Sequence, residues 1–262
     1  MTGSRSFGKV RSPRSARHSS RVRSTGLEHC SFYRDPALYD LVQADSTSTA
    51  ACRSLIERHA PEAASLIDFG CGTGRDIALL SEHYSCDGVD LQPAMVEHAR
   101  LVHPGLDVRL GDMRTVRLQE CGDVVVCLGN SLAYVHDNDG VSQVFDTFAA
   151  HVRPGGLLVL CSPVPPVLRK ETMRAEITVP EGVAQVSITY VWDLRTQTNT
   201  MHRVWSLPSG IEVEDEIHRR VLFPLELERY ASIAGFEVVA MEDETGGELV
   251  GSSAYTVARR TR

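Results

Sequence analysis

The chain is 262 residues long, 42% hydrophobic and 23% charged, with a formal net charge of −7. That length suits one enlarged domain or one domain with an insert, and the composition is that of a globular protein. No apolar run approaches the ~18 residues that span a bilayer, so no membrane partner is expected. Seven cysteines (30, 52, 71, 86, 121, 127, 161) are scattered singly, with no C-x-x-C pair. This argues for reduced thiols in a cytoplasmic protein, and against a zinc site or a disulfide framework.

Charge is uneven along the chain. Residues 1–25 hold seven Lys/Arg and no acid, and removing them takes the net charge from −7 to −14. A body this acidic excludes RNA or DNA as an expected partner, because phosphate contacts need clustered basic side chains. The leader, residues 1–26, is Ser/Arg-rich with almost nothing to bury, and is expected to be disordered. It reads as an over-extended start, a transit peptide or a nucleic-acid-binding tail. The first is favoured, because the leader lacks the amphipathic stripe of a transit peptide.

Residues 27–60 carry Phe32, Tyr33, Tyr39, Leu41 and Val42, then a helical pattern over 47–58 with Leu55 and Ile56 inward. A short apolar run at 66–69, interrupted by Asp68, meets a turn with Gly70, Gly72 and Gly74. A helix with Ile77, Leu79 and Leu80 follows, then a strand ending at Asp90. Strand, glycine turn, helix, strand and acid form one half of a doubly wound α/β sheet. Asp90 lies 18 residues beyond Gly72, near the ~20 expected of an acid that grips ribose hydroxyls. Asp68 and Asp76 around the turn suit a ligand with cationic groups better than a diphosphate. With Cys71 between the first two glycines, the acid-x-Gly-x-Gly-x-Gly turn resembles that of the class I S-adenosylmethionine-dependent methyltransferases.

Pro93 is well placed at a helix start, and Met95, Val96, Ala99 and Leu101 continue that helix. The next strand, 107–110, ends in Gly111-Asp112-Met113. A fourth, at 123–128, is a continuous apolar run of the kind found in buried parallel strands. Ligands of open α/β sheets sit outside the carboxyl ends of the strands, so the loop Gly129 to His136 is expected to border the chemistry. Within it, Cys127 to Ala133 (CLGNSLA) resembles the corresponding loop of glycine N-methyltransferases. A helix through Val144, Phe145, Phe148 and Val152 leads to a turn at 153–156 and a strand at 157–161.

From 162 to 222 the pattern changes to period-2 alternation: Val186, Ile188, Tyr190 and Trp192, then Met201, Arg203 and Trp205, then Ile211, Val213, Ile217 and Val221. This predicts an antiparallel meander inserted as a lid. The α/β pattern resumes at Pro224, Gly235 caps that helix, and strands at 236–241 and 254–258 finish the sheet. His218-Arg219-Arg220, residues 224–227 and Ala234-Gly235-Phe236 resemble elements of bacterial amino-sugar N,N-dimethyltransferases, over about residues 30–260.

The resemblance implies a Rossmann-like, seven-stranded doubly wound sheet with an inserted antiparallel β lid. Residues 27–162 and 222–262 would form the S-adenosylmethionine domain with its N-terminal cap, and 163–221 the substrate lid. It also implies S-adenosyl-L-methionine as methyl donor, with S-adenosyl-L-homocysteine as product. Its binding residues would be Tyr33, Tyr39, Asp68, Gly70, Cys71, Gly72, Gly74, Asp90, Leu91, Met95, Gly111, Asp112, Met113, Leu128 and Asn130. Tyr33 and Tyr39 would close over the methionine end, Met95 would meet the adenine face, and Asp112 would accept from the adenine amine. The expected activity is methylation of a small-molecule amine, of amino-sugar or amino-acid type, in bacterial secondary metabolism. A small-molecule O-methyltransferase and a non-catalytic, cofactor-binding regulatory subunit are the alternatives.

His136, Tyr134 and His218 are the catalytic candidates, with Asn130 and His202 also considered. An imidazole with an unperturbed pKa near ~6.5 suits a general base, but His136 beside Asp137 and Asp139 also reads as a surface residue. Tyr134 stands where both resembled families place a histidine. Glu212, Glu214 and Glu216 would favour a cationic substrate if they face inward. No metal site is expected, and a homodimer is left open.

Overall fold

The computed structural model describes residues 31–43, 46–163, 172–179, 181–243, 245–249 and 253–261. The expected leader, residues 1–26, lies outside them, as do 27–30 of the expected cap. Helices α1 (Ser31–Arg34), α2 (Pro36–Val42) and α3 (Thr47–His59) open the described chain. Asp35 caps α2 by accepting the Leu38 N–H at 3.1 Å, and Pro36 occupies its first turn, where a missing N–H costs nothing.

The main sheet is laid down as β1 (Ser65–Phe69), α4 (Arg75–Leu80), β2 (Ser85–Asp90), α5 (Pro93–Val102), β3 (Asp107–Leu110), β4 (Gly122–Cys127), α6 (Asn138–His151) and β5 (Val152–Pro163). After the second sheet come α7 (Pro224–Ile233), β10 (Phe236–Asp243) and β11 (Ser253–Arg260). The strand order is β10-β11-β5-β4-β1-β2-β3, with β11 antiparallel to both neighbours. Order reverses at β1/β4, which opens a crevice at the carboxyl ends of those strands.

Both faces of this sheet are covered, so β1 and β4 are mainly apolar, with Asp68 and Asp123 as the charged exceptions. Leu66, Val124, Val126 and Val159 pack with Leu55, Ile56, Ile77 and Val96 from α3, α4 and α5. Ile67, Val125, Cys127 and Leu158 pack on the opposite face with Phe145 and Phe148 of α6 and Leu227 of α7. Gly235, at φ 85°, follows the end of α7 as expected.

Two details differ from the sequence expectation. The expected turn at 153–156 lies within β5: Gly122 pairs with Val152 and Val124 with Leu157, so these residues bulge out of register, with Gly155 at φ 78°. The lid region holds four strands, β6 (Thr172–Val179), β7 (Gly182–Asp193), β8 (Thr198–Ser206) and β9 (Glu212–Arg220), in sequential antiparallel order. β6 had no clean alternation to betray it, because it is an edge strand exposed along most of its length. The apolar face of this second sheet gathers Val186, Met201, Trp205 and Ile217 against Val42, Leu38 and Tyr39 of α2. Arg203 and Asp215 sit opposite each other on that same face and form a buried ion pair.

Behind the crevice, α6 also holds the loop between β3 and β4. His151 is 1% exposed; its Nε2 accepts the Leu118 N–H at 2.7 Å while Nδ1 donates to the Thr147 carbonyl at 2.6 Å. His151→Ala is expected to cost about 1–3 kcal/mol by stranding those groups, measured by denaturant unfolding. Burial lowers the His151 pKa, so its contribution is present above about pH 6.5 and lost as pH falls through the depressed folded value. In the His151→Ala variant that acid sensitivity should shrink.

Candidate functional site

A cavity of about 770 Å³ opens at the carboxyl ends of β1, β2 and β4, between the N-terminal helices and the end of β9. Its floor is the glycine turn. Gly70, Gly72 and Gly74 take φ of 89°, 56° and 77°, a region that side chains other than glycine disfavour. Gly70 is also sterically fixed, since a Cβ there would lie 2.5 Å from Cβ of Ser131. The Gly70 and Cys71 N–H groups donate to the Val89 carbonyl at 2.7 and 3.1 Å, tying the turn to β2.

Asp90 ends β2 on the cavity wall. Its Oδ2 accepts the Gly72 N–H at 2.8 Å and its Oδ1 the Gln92 N–H at 2.8 Å. The carboxylate keeps acceptor capacity for a ligand hydroxyl. Burial pushes the Asp90 carboxyl up, with the backbone donors pulling the other way.

Asp68 is 1% exposed, and its Oδ1 has no partner among the described residues. Burial, then the charges of Asp76 and Asp90, push its carboxyl well above the usual range. Nearby, Nε and Nη1 of Arg75 are out of solvent and unpartnered among the described residues, while Nη2 is 3.3 Å from Asp76. One unpartnered carboxylate oxygen and two unpartnered guanidinium nitrogens in the same cavity complement the ammonium and carboxylate of an α-amino acid. The residues present therefore fit the methionine end of S-adenosyl-L-methionine.

On the β3 side, Gly111, Asp112 and Met113 line the wall. Asp112 accepts the Arg114 N–H at 2.9 Å and pairs with its guanidinium at 2.6 Å. Burial raises the Asp112 carboxyl, but the Arg114 bonds outweigh it and hold it below the ordinary value. Any purine amine at Asp112 shares it with that arginine.

Tyr33, Tyr39, Cys71, Leu91 and Leu128 also line the cavity, but Gly74, Met95 and Asn130 do not. Met95 is fully buried on α5 and does not reach the cavity, which Leu91 and Met113 line. Gly74 starts α4 and would press a Cβ to 3.3 Å from Ala99. Asn130, left-handed at φ 63°, turns its Oδ1 to the Cys161 thiol, and Gly129 and Ser131 face the cavity instead.

At the other end, the Tyr33 hydroxyl donates to the Tyr134 hydroxyl at 2.5 Å. His136 and His218 both line the cavity with rings 5.1 Å apart. His136 Nε2 lies 3.1 Å from the His218 carbonyl and must donate to it, which leaves Nδ1 as the acceptor. Burial lowers the His136 pKa. His218 Nδ1 meets the Thr200 hydroxyl at 2.6 Å.

His202 is outside the lining, paired with Glu216 on the solvent side of the lid, and Glu212 and Glu214 are exposed. The three glutamates do not face inward. Sequence reading missed Asp193, Thr196 and Thr198, which reach the cavity from the β7–β8 turn. It also missed Asp40, which accepts from Thr73 of the glycine turn at 2.5 Å and bonds His98 of α5 at 3.0 Å. Among the described residues no cluster suits a metal ion, and no helix is long and apolar enough to cross a membrane.

A glycine turn, a ribose-type acid and an amino-acid-shaped pair of orphaned charges at one sheet edge define a binding site for a nucleoside with an amino-acid arm. Residues 66–156 match the profile of a methyltransferase domain. The dTDP-3-amino-3,6-dideoxy-alpha-D-glucopyranose N,N-dimethyltransferase of Streptomyces fradiae is 31% identical over 224 residues, covering 80% of this chain and 86% of that protein. The glycine N-methyltransferase of Rattus norvegicus is 33% identical over 113 residues, covering 36% of this chain and 39% of its own. The S-adenosylmethionine-bound structure of CalS10, an amino pentose methyltransferase from Micromonospora echinaspora, superposes with a TM-score of 0.74 at 25% identity, covering 86% of this chain and 96% of that one. The chain belongs to the class I S-adenosylmethionine-dependent methyltransferases. It is an enzyme, and S-adenosyl-L-methionine is its methyl donor.

Asp90→Ala is expected to weaken S-adenosylhomocysteine binding by about 1–3 kcal/mol through lost charge-assisted hydrogen bonds, read by calorimetry. Unchanged affinity would remove Asp90 from the ribose site.

Proposed function

We propose that the enzyme methylates the amine of a small amino sugar in bacterial secondary metabolism. The observation that carries this reading is the 31% identity to the Streptomyces fradiae amino-sugar N,N-dimethyltransferase over 80% of the chain. Bound S-adenosyl-L-methionine supplies a methyl group on a cationic sulfur. Asp90, Asp68 and Arg75 hold the donor, with Asp112, Leu91 and Met113 at its purine end. Tyr33 and Tyr39 cover its amino-acid arm.

Transfer to nitrogen needs the acceptor amine neutral and in line, so positioning dominates. His136 takes the amine proton on Nδ1. A lowered pKa keeps the imidazole neutral near pH 7 and able to accept. Tyr134 and His218 contact the acceptor from the loop and the lid. Residues 163–221 form that substrate lid on the donor-binding domain of 27–162 and 222–262. A cytoplasmic homodimer completes the proposal.

Incubation with S-adenosylmethionine and dTDP-3-amino-3,6-dideoxy-alpha-D-glucopyranose, followed by mass spectrometry, is expected to give N-methylated sugar. Methylation confined to hydroxyl or carboxyl acceptors would sink the reading. His136→Ala should lower kcat roughly 100-fold. In the wild type the acid limb of kcat/KM should fall below about pH 6.5, because the imidazole's pKa is depressed, and the variant should lose that limb.

A further inference from the structure

Asp40, on α2 of the cap, has both carboxylate oxygens engaged. Its Oδ1 accepts from the Thr73 hydroxyl at 2.5 Å, and its Oδ2 meets Nε2 of His98 on α5 at 3.0 Å. Cap helix, glycine turn and the helix after β2 therefore meet at one side chain. Thr73 is 2% exposed and follows Gly72, whose N–H is held by Asp90. Asp40 itself does not line the cavity, whereas its neighbour Tyr39 and its partner Thr73 do, together with Asp68, Arg75 and Asp76. The Tyr39 ring stacks on that of Tyr33, with centroids 6.0 Å apart and planes at 29°. Leu38, Tyr39 and Val42 of the same helix join the apolar layer of the second sheet.

An ionised carboxylate holds a donor on each oxygen, and a bond to a charged oxygen is roughly twice as strong as a neutral one. Helix α2 has seven residues, too few to keep its place by helix propensity, so its seat over the turn is set by its contacts. We propose that Asp40 is a positioning residue for the methyl donor: by holding Thr73 and His98 it seats α2 on the glycine turn and sets Tyr39 over the donor's amino-acid arm. The chain thereby favours a nucleoside that carries the arm over one that lacks it. The inference rests on the reading that the arm lies at Asp68 and Arg75 beneath Tyr39. It does not depend on the acceptor, or on which group takes the amine proton.

The test compares two probes by calorimetry. One is S-adenosylhomocysteine; the other is methylthioadenosine, which keeps purine, ribose and sulfur but has no amino-acid arm. Asp40→Ala is expected to weaken S-adenosylhomocysteine about tenfold, and to leave methylthioadenosine within about twofold of its wild-type affinity. Tyr39→Leu should narrow the preference between the probes as well. Adding Asp40→Ala to it should narrow the preference little further, because Asp40 acts through Tyr39. Asp40→Asn keeps an oxygen for Thr73 and a polar group for His98, and should recover most of the loss. Equal weakening of both probes would make Asp40 a strut of the fold and overturn the proposal. An unchanged preference, or losses that multiply in the double variant, would overturn it too.

Arg75→Ala serves as the reference for the arm itself. If it narrows the preference and Asp40→Ala does not, the placement of the arm stands and the role of Asp40 falls. If neither narrows it, the placement falls as well. Thr73→Val, which removes the hydroxyl from the other side of the same bond, provides the reading if Asp40→Ala fails to fold.

Discussion

The structure depends on keeping two carboxylates, Asp68 and Asp90, away from bulk water at adjacent strand ends. Asp90 tolerates this because backbone N–H groups of Gly72 and Gln92 reach both of its oxygens. That geometry fixes the glycine turn, because only glycine takes those positive φ values without strain. Asp68 has no such relief on Oδ1, and burial drives its carboxyl toward the neutral form. A cationic ligand group at Oδ1 would stabilise the charged form of that carboxyl. The cap is fastened to the same edge: Asp40 holds Thr73 and His98, and Thr49 donates to Asp76 at 2.7 Å.

Much of this was legible in the sequence, because the donor edge is written in local patterns. Turn, helix and acid fall within residues 65–90, and their spacing alone places Asp90 beside Gly72. The apolar runs of β1 and β4 likewise announce strands buried on both faces. Features set by distant neighbours were harder to read. Met95 has the helical spacing of a wall residue, yet α5 rotates it into the core. Asn130 lies in the loop that borders the cavity, but its left-handed backbone turns it to Cys161. The glutamates of β9 look like a substrate cluster until pairing with β8 sets which face they occupy. β6 shows no alternation because it is mostly exposed.

The two halves of the cavity differ in how their residues are spread along the chain. The methyltransferase-domain match covers residues 66–156, the donor edge with its loops. The acceptor end draws on pieces far apart in the chain: His136, which that match also covers, Asp193 and His218. Tyr134, at the position where the resemblance implies a histidine, gives that wall a hydroxyl that accepts from Tyr33.

The ion pair between Arg203 and Asp215 on the concealed face of the second sheet has a further consequence. Strand pairing in a meander is defined only as well as its side chains distinguish one alignment from the next. Sliding β9 past β8 by one position would part these two charges and send them to opposite sides, leaving an uncompensated charge in an apolar layer. The pair thus acts as an error check on assembly.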